Sequence, residues 1–309
     1  MTTFLSAVTA DHFDTEVLQQ HWIPLAADDA DTAAVLRERL GIDFTAARDQ
    51  VWETGTFLYL PVVADYQRGE TIERATIVFA LGGEFLVTLQ PSEHFVPFDK
   101  AVAKMRRNPE LAGSAHGVMY ALLWALNEAS ERVLHHAGAA LEATHAEIER
   151  AISGHDRREL AITDVRGTLA RMNATERIIA RARQTQLQLA RAARHLRVEG
   201  RSCGAELDDA ISLLLADIDG VGQHASIEYD KARYQQQSAL AWLDAQQNEI
   251  VKRFAVAAVF LPPALIATCY GVDLIAESSW QTGLLLTTLL TLVAALLPLA
   301  YLKRKGLLR

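Results

Sequence analysis

At 309 residues, half of them hydrophobic, the chain is long enough for two domains and a sizeable core. Its formal net charge of −8, with arginines interspersed among acids, argues against a nucleic-acid partner, which needs a concentrated basic face. The two cysteines, Cys203 and Cys269, are far apart and Cys269 lies in an apolar run, which excludes a disulfide framework and a C-x-x-C metal site.

Met1 to Gln20 has no basic n-region and meets Asp11 and Asp14 before any apolar stretch reaches signal-peptide length, so no targeting sequence is expected. Strand signals follow. Phe57 to Val63 and Thr76 to Leu81 are short apolar runs rich in β-branched and aromatic residues. Gly82-Gly83 separates the second run from Glu84 to Leu89, which is a hairpin signal. A sheet is expected here, in an α/β portion.

From Phe98 the period becomes helical. Val118, Ala121, Leu122, Ala125 and Leu126 mark a helix from about Ser114 to Ser153, broken at Gly154-His155-Asp156. A second helix runs from about Arg158 to Leu196, carrying Leu160, Leu169, Met172 and Ile179 among many charges. A third begins near Leu207 and meets no proline until Pro262; at 1.5 Å per residue it would extend on the order of 80 Å, the length of a stalk. Gly220 and Gly222 are its weak points. The expected division is 1–198 as an α/β domain with a helical second half, 199–253 as the stalk and 254–309 as a transmembrane hairpin with a basic tail.

The hairpin rests on two uncharged stretches, Phe254 to Val272 and Ser278 to Leu302, each near the roughly 20 residues that cross a hydrocarbon core. The alternative, a pair of buried core helices, is disfavoured by their length. Lys252 and Arg253 precede the first span and Lys303, Arg304 and Lys305 follow the second, while the loop between has no Lys or Arg. The positive-inside bias therefore places both termini in the cytoplasm. Pro262-Pro263 and Pro298 free carbonyls that neighbouring helices or water must satisfy, and Ala255, Ala257, Ala258, Ala264 and Ala267 allow close helix approach. Both features favour an oligomer in the bilayer. Two spans enclose little by themselves, so transport requires several copies about an axis, with a basic ring at the inner mouth and acidic residues at the outer one.

Asn248-Glu249-Ile250-Val251-Lys252, then Phe260-Leu261-Pro262, then Tyr270-Gly271-Val272-Asp273-Leu274 and the basic tail 303–308 resemble the signature of the CorA family of magnesium transporters. Looser similarity extends through Leu86 to Leu89 and Phe98-Asp99. The resemblance implies a funnel-shaped homopentamer in the inner membrane: a cytoplasmic α/β domain, a long stalk helix continuous with a pore-lining first span, and an outer second span. It implies divalent cations as transported or regulatory ions, Mg²⁺ or Zn²⁺, and no other cofactor.

The family's Gly-Met-Asn loop forms its selectivity ring and holds a hydrated Mg²⁺, which suits an ion that dehydrates reluctantly. Here Gly271 matches, while Val272 stands for Met and Asp273 for Asn. The resemblance makes Tyr270, Gly271, Val272, Asp273 and Glu277 the selectivity loop. A ring of carboxylates selects charge more readily than a particular ion, so broad divalent specificity is expected. Projected back from Asp273 at helical spacing, the pore stripe is Thr268, Ala264, Leu261 and Ala257, with Ile250 on the stalk and Leu261 as the hydrophobic constriction. By resemblance, carboxylates between cytoplasmic domains sense divalent ions; Asp208, Asp209, Asp217 and Asp219 are the candidates, with a solvated helix face as the alternative.

Other chemistry finds little footing. Glu142-x-x-His145 places two potential ligands on one helix face but lacks the further carboxylates such metal sites use, and His135-His136 reads as a surface pair. No P-loop, G-x-G-x-x-G or H-E-x-x-H occurs, so an enzyme is not expected. Three functions stay open: a passive divalent-cation channel, a proton-coupled zinc transporter of the same architecture, and a non-conducting membrane-anchored interaction protein.

Overall fold

The computed structural model describes residues 15–45, 50–153, 162–200 and 204–277, together with 285, 288–289, 291–293 and 296. The chain divides into two compact units, Met1–Gln236 and Gln237–Arg309.

The first unit opens with helix α1 (Thr15–His21) and strand β1 (Trp22–Ala26). Helix α2 (Ala30–Leu40) is stopped at both ends by local chemistry. Asp29 accepts from the Thr32 N–H at 3.0 Å, and Gly41, in the left-handed region at φ 69°, donates to the Arg37 carbonyl. Strands β2 (Trp52–Glu53), β3 (Leu58–Arg68), β4 (Thr71–Leu81) and β5 (Leu86–Gln90) follow.

The sheet order is β1-β5-β4-β3-β2, antiparallel except for the parallel β1–β5 pair, in which Trp22 lies against Leu86 and Ala26 against Gln90. The expected hairpin at Gly82-Gly83 is there, joining β4 to β5. A second hairpin joins β3 to β4 through Gly69-Glu70, with Gly69 at φ 63°.

The apolar runs are continuous because both faces of the sheet are covered. Leu60, Val62, Ala64, Ile77 and Phe79 belong to one core with the long helices, whereas Tyr59, Val78, Ala80 and Val87 join Leu25, Leu36 and Phe44 on the α2 side. Beyond its short pairing with β2, the outer edge of β3 is met at Val63 by helix α5. Gln188 accepts from the Val63 N–H at 2.8 Å, and Thr185 donates to the Val63 carbonyl at 2.7 Å. Pro61, which has no N–H to offer, sits two residues before Val63 and so shares that outward edge.

Helix α3 (Val96–Arg107) and a 3-10 turn (Pro109–Gly113) lead into α4 (Ala115–Ser153), α5 (Ile162–Glu199) and α6 (Ala205–Glu277). The three long helices agree with the sequence expectation in number and order; the expected break at 154–156 lies outside the described residues. Near the sheet they share a core of Leu122, Leu126, Leu189, Leu196, Ile211 and Leu214. Farther along, Leu134, Leu141, Met172, Ile179, Val221 and Ala225 form another cluster.

Gly220 and Gly222 do not break α6. Ile218, Val221 and Ala225 are buried on the inward side, and the Gly222 backbone lies close to the Gln186 side chain of α5. Packing overrides the weak propensity.

In the second unit, α6 runs on to Glu277, past the predicted end of the first span at Val272. Along it the large apolar side chains of Val251, Phe254, Leu261 and Leu265 are exposed. Leu285, Leu289, Leu292 and Leu296, in the predicted second span, are exposed as well, at i, i+4, i+7 and i+11. Among the described residues no helix is long and apolar enough to cross a membrane. The predicted second span lies mostly outside those residues, and the first is described in its backbone but in few side chains.

Candidate functional site

Helix α6 carries every residue that the sequence assigned to a pore, a selectivity loop or an ion sensor. The side chains of Ile250, Ala257, Ala264, Thr268, Tyr270, Gly271, Val272, Asp273 and Glu277 lie outside the described ones, although their backbone is helical. Leu261 is the exception, its side chain 61% exposed. Pro262 and Pro263, one and two residues later, leave two helix carbonyls without their usual N–H partners.

Within one chain the four proposed sensor aspartates are not gathered into a single group among the described residues. Asp208 is held within the chain by Arg197 of α5, whose Nε and Nη2 donate to the two carboxylate oxygens at 2.9 and 3.3 Å. That pair clasps the end of α5 to the start of α6, and the carboxylates of Asp208 and Asp209 raise the Arg197 pKa further. Asp209, Asp217 and Asp219 are exposed. Among the described residues no group of three or more His, Cys, Asp or Glu is placed to hold a metal ion.

The Glu142-x-x-His145 pair dissolves for a visible reason. Glu142 is taken by Lys231 of α6, an ion pair that lowers the Glu142 pKa and raises that of Lys231. His145 turns to Glu149 at 3.3 Å. His135 is less of a lone surface residue than its sequence suggested, since its ring meets that of His224 on α6 with centroids 6.3 Å apart.

Three features of this unit escaped the sequence. Asp65 on β3 is 3% exposed and lies 3.1 Å from Arg181 of α5; burial pushes its carboxyl up, and Arg181 and Arg74 pull it down. Lys104 of α3 stands over the Trp124 ring at 4.0 Å and near Tyr120, and burial lowers its pKa against the pull of Glu128 and Asp217. The third is a segregation of charge. From Arg177 to Val198, α5 has six arginines and no acid, whereas α6 from Ala205 to Asp230 has acids and no Lys or Arg. That signal was present in the sequence, but its meaning depends on which side chains are exposed.

A family model described as CorA-like Mg²⁺ transporter protein matches residues 19–304. Over 111 residues the chain is 32% identical to proteins named magnesium transport protein CorA from Salmonella typhimurium and from Escherichia coli. Each of these matches takes in 35% of this chain and 35% of the relative, so the matched part spans about a third of the curated relatives' length. Among solved structures, the cytoplasmic domain of ZntB from Vibrio parahaemolyticus superposes with a TM-score of 0.53 at 11% identity, covering 72% of this chain and 88% of that one. At that identity the likeness is one of fold.

Proposed function

The chain belongs to the CorA-like Mg²⁺ transporter family, and from that membership we propose that it conducts divalent cations, Mg²⁺ foremost, across the inner membrane as a homo-oligomer, in the family's pentameric form. The observation that carries the reading is the family match over 19–304 together with Tyr270-Gly271-Val272-Asp273 at the end of a hydrophobic stretch. In this reading 1–198 is the cytoplasmic α/β domain, 199–253 the stalk and 254–309 the membrane hairpin, with both termini in the cytoplasm. Exposed leucines on α6 and at 285–296 support it, because large apolar side chains that a single chain leaves mostly open to water favour lipid or neighbouring copies.

The division of labour follows from the residues. Asp273 from each copy, with Glu277 nearby, concentrates cations at the outer entrance and meets them with their water shells in place. Leu261 closes the path as an apolar ring that conducts only when wetted. Ile250, Ala257, Ala264 and Thr268 continue that lining, and Asp208, Asp209, Asp217 and Asp219 lie on the stalk.

A second reading, proton-coupled zinc transport, is favoured by one feature: a carboxylate at 273 can exchange a proton where an amide cannot.

The test is ion flux into liposomes holding the full chain, over a panel of divalent ions, with and without a pH gradient. Mg²⁺ influx well above that of empty liposomes is expected, with Asp273→Ala reducing it several-fold and Asp273→Asn narrowing the selectivity. Zn²⁺ influx that follows the pH gradient would establish the second reading. No influx of any divalent ion would refute both and leave an anchored interaction protein.

A further inference from the structure

We infer that two faces of the first compact unit dock on each other between neighbouring copies: the arginine face of α5 in one copy binds the aspartate face of α6 in the next. This rests on the oligomeric reading above and says which surfaces hold the oligomer together.

The two faces match in pattern and oppose in charge. On α5, Arg183, Leu187 and Arg191 stand at i, i+4 and i+8, on one side of the helix. On α6, Asp209, Leu213 and Asp217 have the same spacing. All six are exposed, and each central leucine is unusually so, Leu187 at 69% and Leu213 at 64%. Arg194 and Val198 extend the first face; Ala216 and Gly220 flank the second and leave room for a close approach.

Among the described residues, ion pairing within the chain does not use these charges. Arg171, Arg181 and Arg197 are paired with acids, and Asp208 is held by Arg197. Among the described residues Arg183, Arg191, Asp209 and Asp217 form no ion pair. Asp217 attracts Lys104 and opposes ionisation of Tyr120, and Asp209 attracts Arg197, only at longer range.

An exposed leucine between two like charges is a poor surface for water, and its complement elsewhere on the same molecule makes a head-to-tail contact. Such a contact closes into a ring when the rotation allows. Charge complementarity then fixes the register and rejects like faces. Asp209 and Asp217 accordingly serve as counter-charges for a neighbour's arginines.

The test uses the full chain in detergent, with oligomer mass measured against protein concentration at low and high salt. Circular dichroism checks that each variant folds. R183E/R191E and D209R/D217R are each expected to raise the concentration of half-dissociation by on the order of tenfold, and high salt is expected to weaken the parent assembly. The fourfold variant carrying both reversals is expected to recover to within about twofold of the parent. Removing divalent ions with a chelator is expected to leave the parent assembled.

Unchanged assembly in both double variants overturns the inference while leaving the oligomeric reading intact. So does a fourfold variant no better than the doubles, or dissociation by the chelator, which would make the aspartates ion ligands. Weakening by the arginine reversal alone would assign that face to another anionic partner, and overturns it too. A parent chain that is monomeric at every concentration overturns the inference and the oligomeric reading together.

Discussion

Asp65 and His116 show why single residues hide in a sequence. Asp65 lies two residues beyond the apolar run that announced its strand, and its aim at Arg181, more than a hundred residues away, depends on where α5 crosses β3. His116 has no motif around it, yet it is 7% exposed, with Gly200 beside its ring. Burial lowers the His116 pKa below the usual 6.5, against the opposing pull of Glu199. Below 6.5 the unfolded chain takes up a proton that the folded one refuses, so stability is full above that pH and falls as the pH drops from 6.5 toward the lowered value. Melting temperatures between pH 7.5 and 5.5 should therefore fall more steeply for the parent than for His116→Gln. Parallel curves would mean that the buried ring contributes nothing to acid sensitivity.

Elements were more legible than residues. Helical periodicity located α4, α5 and the start of α6 within a few residues, because each keeps a continuous apolar stripe. Gly82-Gly83 announced its hairpin, whereas the β3–β4 turn went unnoticed because Arg68-Gly69-Glu70-Thr71 has only one residue typical of a turn. Strand β1 was missed for a deeper reason: Trp22–Ala26 pairs in parallel with β5, and no local pattern encodes a partner sixty residues away. The glycines of the long helices separate by contact. A Cβ on Gly117 would lie 2.4 Å from the Leu111 carbonyl oxygen, so Gly117→Ala must push the 3-10 turn off α4 and should cost about 1–3 kcal/mol. Gly220 has nothing within 4 Å of such an atom, and Gly220→Ala should add up to about 1 kcal/mol through helix propensity. Denaturant midpoints for the two variants should move in opposite directions; a shift of the same sign in both would contradict the packing at the start of α4.

At the scale of the whole chain, hydropathy showed most. Charge concentrated in the first 253 residues, with only Asp273 and Glu277 between 254 and 302, pointed to a polar body and an apolar tail, and the α/β architecture followed from strand signals giving way to long helices. How copies meet could not be read, since that depends on surfaces made by residues far apart in sequence. The exposed leucines of the second unit give a direct expectation: the chain should sediment with membranes, resist alkaline carbonate and be released only by detergent. Recovery in the carbonate wash would argue against the hairpin. The lysine over Trp124 has a consequence of its own. An indole's emission colour shifts with the electric field across its ring, and Lys104, 4.0 Å from the Trp124 ring and under the pull of Glu128 and Asp217, contributes to that field. If an arginine of an adjoining copy neutralises that aspartate, as inferred above, the field at the ring changes, and the tryptophan becomes an optical gauge of whether the copies have come together.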